Sequence, residues 1–133
     1  MTIKLTPDIW KYIQFINTFR NDNIHYTKDA QHYGKSEHWC FPDDGEGDCE
    51  DIAIAKQYDI RNALEFFAPL ATCWVHPSRP KGQKGYHAVC LVDTDYGTYV
   101  LDNRYPSVFH FEDCNYLWHK REREDETWVK IIA

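Results

Sequence analysis

The chain has 133 residues, 43% hydrophobic and 16% aromatic, enough for one packed domain and too apolar for disorder. No apolar run nears the roughly 20 residues of a membrane helix, and Met1-Thr2-Ile3-Lys4-Leu5-Thr6-Pro7 has no apolar signal region, so no membrane association and a cytoplasmic location are expected. The net charge of −6 is local: Asp43, Asp44, Glu46, Asp48, Glu50 and Asp51 crowd together with no base among them, and the remainder balances. Such a knot points to a cation site or a functional loop, and without a basic stripe no nucleic-acid partner is expected.

Thr6-Pro7-Asp8, followed by Ile9, Trp10, Ile13, Phe15, Ile16 and Phe19, predicts a capped amphipathic helix ending near Asn21 to Asn23. From Ile24 to Gly47 the pattern is irregular and polar, a long loop of the kind that is usually functional. Gly45-Glu46-Gly47-Asp48 then opens an Ala/Ile-rich helix to about Phe66, with Asp48 as N-cap and Cys49 in the first turn. Strands are predicted at Leu70 to Val75, Tyr86 to Thr94, Thr98 to Asp102, Ser107 to Phe111 and Thr127 to Ile132. Asp95-Tyr96-Gly97 turns the second of these into the third. The mixed charges of Lys120 to Glu126 read as a solvated connection. Helices followed by an antiparallel meander make the fold class α+β.

Cys40, Cys49, Cys73, Cys90 and Cys114 are odd in number and contain no C-x-x-C pair. That excludes a zinc ribbon or thioredoxin motif and suits a reducing compartment, most of the thiols being small buried hydrophobes. Cys49 differs, because a helix N-terminus stabilises a thiolate and offers free N–H groups to an oxyanion. The turn at Asp95 to Gly97 brings His87 and Asp102 to the same open end of a two-stranded ribbon. A sheet face packed on the Cys49 helix then lines up thiol, imidazole and carboxylate: nucleophile, base and orienting group of a cysteine hydrolase. Asp48 and Glu50 work against this by raising the thiol pKa. A calcium ion held by Asp48 and Glu50 would neutralise them.

The run Trp39-Cys40-Phe41-Pro42 to Gly45-Glu46-Gly47-Asp48-Cys49-Glu50-Asp51-Ile52-Ala53-Ile54-Ala55-Lys56 resembles the nucleophile motif of the bacterial transglutaminase-like cysteine peptidases. Gly85-Tyr86-His87-Ala88-Val89 and Val100-Leu101-Asp102-Asn103 resemble that family's histidine and aspartate motifs, in the same order. The resemblance implies a papain-like α+β domain spanning the chain, a Cys49–His87–Asp102 triad, and calcium at Asp48 and Glu50. Trp39 is a candidate for the substrate groove or the oxyanion site. The expected activity is hydrolysis of a peptide amide through a thioester, by a monomer acting on a protein or peptide. Acyl transfer or deamidation would use the same triad, and a cation-dependent binding module would not need it.

Overall fold

The structure is a computed structural model and describes residues 1–26, 46–74 and 87–131. Helix α1 (Pro7–Asn23) starts where expected: Thr6 Oγ1 accepts from Ile9 N at 3.2 Å, and Pro7 fills a first-turn position needing no N–H donor. Helix α2 (Cys49–Leu64) is capped by Asp48 and ends at Glu65 in the left-handed conformation, slightly before the predicted Phe66. The Arg20 guanidinium grips Asp59 with two hydrogen bonds, of 2.6 and 2.8 Å, and ties the helices together. At about one-fifth exposure that pair is worth on the order of 1 kcal/mol.

Two short strands, β1 (His25–Tyr26) and β2 (Glu46–Gly47), pair in parallel at the two ends of the predicted long loop, whose interior lies outside the described residues. The main sheet contains β3 (Leu70–Trp74), β4 (His87–Thr94), β5 (Gly97–Leu101), β6 (Phe109–His110), β7 (Leu117–Glu122) and β8 (Trp128–Lys130). Its spatial order is β6-β5-β4-β3-β7-β8, antiparallel throughout. Four strands form the expected meander, but β7 then returns to the far side of β3.

Arg123 to Glu126 form the exposed turn into β8, whereas the β7 strand corrects the reading of Lys120 to Glu122 as part of a solvated connection. Its charges have partners: Arg121 Nη2 meets Asp93 Oδ2 at 2.5 Å, and Glu122 Oε1 accepts from Gln57 Nε2 at 2.8 Å. Paired charges can lie on a sheet, and Trp118 supplies the strand's buried contact.

The helices cover one face of the sheet. Ile13, Ile16, Ala53 and Ile60 pack there on Leu70, Cys90, Val92 and Leu101. Fully burying each of the Ile, Leu and Val side chains among these contributes about 1.5–3 kcal/mol. The opposite face holds a second core, in which Val89, Leu91, Val100 and Trp118 meet Phe109, Phe111 and Tyr116. Among the described residues no helix is long and apolar enough to cross a membrane.

Candidate active site

Asp48 makes Cys49 the first residue of α2. Its Oδ1 accepts from Glu50 N at 3.2 Å and Asp51 N at 3.5 Å, while Asp51 Oδ2 accepts from Asp48 N at 3.3 Å. This reciprocal cap satisfies the Glu50 and Asp51 amides, and the Asp48, Glu50 and Asp51 side chains are all buried at the start of the helix. Cys49 is itself 8% exposed, and its Sγ donates to Glu50 Oε2 at 3.6 Å. Burial pushes the thiol pKa well up, and the charges of Glu50 and Asp48 add to that; the backbone N–H of Ala88, directed at Sγ, opposes them. The thiol is therefore neutral in this arrangement.

His87 opens β4, and Asp102 follows β5. Cys90 pairs with Leu101, so one step outward Val89 faces Asp102 and His87 becomes its diagonal neighbour on the same face. His87 Nε2 lies 2.7 Å from Asp102 Oδ1. The carboxylate is fully buried and also accepts from Arg104 N at 2.9 Å and from the Tyr116 hydroxyl. Asn21 Nδ2 holds its backbone carbonyl at 3.1 Å. Burial alone would raise the Asp102 pKa; the hydrogen bond and charge of His87, with Tyr116 and Arg104, outweigh it and hold the carboxyl below its usual range.

The meeting place differs from expectation in one respect. His87 shares its strand parity with Val89 and Leu91, which face the second core, and its ring meets Tyr116 edge-on at 5.7 Å. The His87–Asp102 pair thus does not lie on the helix-packed face. Helix α2 reaches it at the start of β4, where the Ala88 N–H directed at Cys49 follows His87 by one residue.

Trp39 lies outside the described residues, as do Asp43 and Asp44. Tyr116, Arg104 and Asn21 were not foreseen: nothing in their local sequence marks them, and only the pairing of distant segments brings them to Asp102. Arg104 and Tyr116 also line a cavity of about 480 Å³ with Tyr105, Phe109 and Cys114. Cys73, Cys90 and Cys114 are free thiols, and burial pushes the Cys90 thiol up to about 12, as suits a core residue.

Asp48 and Glu50 present hard carboxylate oxygens beside the thiol, a donor chemistry that fits calcium. Two carboxylates are fewer than the ligands such an ion takes, and among the described residues no group of three His, Cys, Asp or Glu side chains is placed to hold a metal.

Two helices on an antiparallel sheet, with a thiol at a helix N-terminus and a His–Asp pair on neighbouring strands, form a transglutaminase-like α+β fold, and the family model makes the chain a cysteine peptidase of that type. The family model of the bacterial transglutaminase-like cysteine proteinases (BTLCP) matches residues 1–133, and the chain belongs to that family. Legionella pneumophila LapG, as solved after EGTA treatment, superposes with a TM-score of 0.72 at 20% identity, covering 98% of this chain and 70% of LapG. A second LapG structure gives 0.71 at 20% identity, covering 96% and 71%. At that identity the likeness is one of fold. A search of curated protein sequences finds no match.

Proposed function

We propose that the protein hydrolyses a peptide amide through a thioester on Cys49, with His87 as the proton carrier and Asp102 as its orienting group. The observation that carries this reading is the 2.7 Å contact of His87 Nε2 with Asp102 Oδ1, which leaves His87 Nδ1 as the nitrogen for thiol chemistry. His87 takes the thiol proton, and Cys49 Sγ attacks the carbonyl carbon. The imidazolium then gives that proton to the leaving amine, and water, deprotonated by His87, releases the acid. The backbone N–H of Cys49, which the Asp48 cap does not take, contributes to the oxyanion hole.

Calcium belongs to the same proposal. One of the similar LapG structures is of protein treated with EGTA, a chelator of calcium. Held by Asp48 and Glu50, the ion would offset the two charges that raise the Cys49 pKa. It would also compete with the thiol for Glu50.

The test is a mixed peptide library incubated with the protein and with Cys49→Ala, in the presence of calcium, and read by mass. Chain cleavage that Cys49→Ala abolishes supports the reading. A mass gain from amide-to-acid exchange, without cleavage, would identify a deamidase instead. Products formed equally by Cys49→Ala would remove Cys49 from the chemistry.

A further inference from the structure

Tyr116 touches the site but has no part in the reaction above. Its hydroxyl donates to Asp102 Oδ2, whereas Oδ1 takes His87 Nε2 at 2.7 Å and Arg104 N at 2.9 Å. The fully buried carboxylate is thus divided, one oxygen for the tyrosine and one for the histidine. The tyrosine is in turn fixed by aromatic neighbours, edge-on to Trp118 at 5.7 Å and to Phe109 at 6.2 Å.

We propose that Tyr116 is a positioning residue, whose hydroxyl holds Asp102 Oδ2 and so sets both the direction and the charge that Oδ1 presents to His87. This rests on the reading of His87 as the base of the reaction. A buried carboxylate with one unsatisfied oxygen can rotate to share its remaining donors. With Oδ2 occupied it keeps Oδ1 on the imidazole, and the phenol draws off part of the negative charge that would otherwise stabilise the imidazolium. The phenol stays a donor, because burial, and after it the adjacent Asp102, push its pKa far up.

The other titratable or charged groups near His87 are few among the described residues. The Arg104 guanidinium lies 6.0 Å over the Tyr116 ring, with Nη1 3.5 Å from its hydroxyl. Cys73 on β3 donates to the His87 carbonyl at 3.6 Å, and Cys49 approaches from α2 beyond Ala88. Burial holds both thiols neutral.

The test is the NMR titration of His87 in the full chain, in Tyr116→Phe and in protein carrying 3-fluorotyrosine at position 116. Losing the hydroxyl returns charge to Asp102 and should raise the His87 pKa by about half a unit to one unit. The more acidic fluorophenol draws off more charge and should lower it. Tyr116→Phe should also slow kcat by about 10–100-fold, as for other partners that orient a histidine, with KM within about twofold. An unmoved His87 pKa, or shifts of the same sign in both proteins, would overturn the proposal. Should Tyr116→Phe not fold, the fluorinated protein, which keeps the ring and the hydroxyl, decides alone: a fall supports the proposal and no change overturns it. The titration needs no turnover, so failure to cleave peptides would count against the peptidase reading and leave this test intact.

Discussion

Lys56 Nζ donates to Asn17 Oδ1 at 2.7 Å, with both side chains fully buried, and so joins the two helices beneath the turn that follows Asp102. Asn17 Nδ2 reaches the carbonyls of Tyr105 at 3.1 Å and Pro106 at 3.3 Å. Asn21, one helical turn on, holds those of Asp102 and Tyr105, both at 3.1 Å. The site is therefore anchored from both sides. The helices grip its backbone, and Tyr116 and Arg104 N grip its carboxylate.

Lys56 gives stability an alkaline pH dependence. Burial lowers its pKa to about 8 from an ordinary 10.5, against the opposing charge of Asp102. Between those values the unfolded chain binds more protons than the folded one, so stability rises with pH. The rise expected of this group is roughly 3 kcal/mol, its size following from the difference between about 8 in the folded chain and 10.5 in the unfolded one. Urea unfolding from neutral pH to about 10 should show the gain in the natural protein and lose it in Lys56→Met. Equal slopes in the two proteins would show that Lys56 is charged in the fold.

Gly97 sets the hairpin that brings His87 to Asp102. Its φ of +108° suits glycine, and a Cβ there would collide with the His110 ring. Gly97→Ala should cost about 1–3 kcal/mol and lower Tm by about 5 °C or more. Thermal unfolding checks this, and an unchanged Tm would mean that the turn relaxes without strain.

Asp102→Asn tests the pair itself. The carboxyl's pKa is held below its usual range by partners that exist only in the folded chain. Its contribution to stability is full above the ordinary carboxylate pKa and is lost as pH falls through the lowered one. The natural protein should lose that increment on acidification, and Asp102→Asn should lack it. Peptide cleavage by the variant should fall by about 10²–10⁴-fold, since the ring loses the carboxylate that supports its imidazolium. Retained cleavage would show that Asp102 only shapes the turn.

The parts of the site legible in the sequence were those specified locally. Asp48 as N-cap, the glycine turn and the Ala/Ile run placed Cys49 at the start of α2 without reference to distant residues. The turn at Gly97 fixed the β4–β5 register, and the register brought His87 and Asp102 together. What could not be read depends on remote partners. Arg121 and Glu122 look like surface charges until Asp93 and Gln57 come opposite them. Tyr116 lies outside every predicted strand and reaches Asp102 only because β7, which follows it, folds back beside β3. Lys56, a cation in a run that otherwise reads as an Ala/Ile-rich buried helix, is buried because α1 supplies Asn17. The side of the sheet that His87 faces likewise follows from how the helices pack, which strand alternation leaves undetermined.

The most direct test of Cys49 as the nucleophile is its rate of labelling by iodoacetamide beside Cys73 and Cys90. Labelling is read by peptide mass across pH, with calcium and with chelator, in the natural protein and in His87→Ala. The account predicts that with calcium Cys49 labels far faster than either core thiol, that chelation slows it, and that His87→Ala removes its advantage. If Cys49 labels no faster than Cys73 and Cys90 when calcium is present, it is one more buried thiol, and the assignment of the site as a thiol-based hydrolase fails.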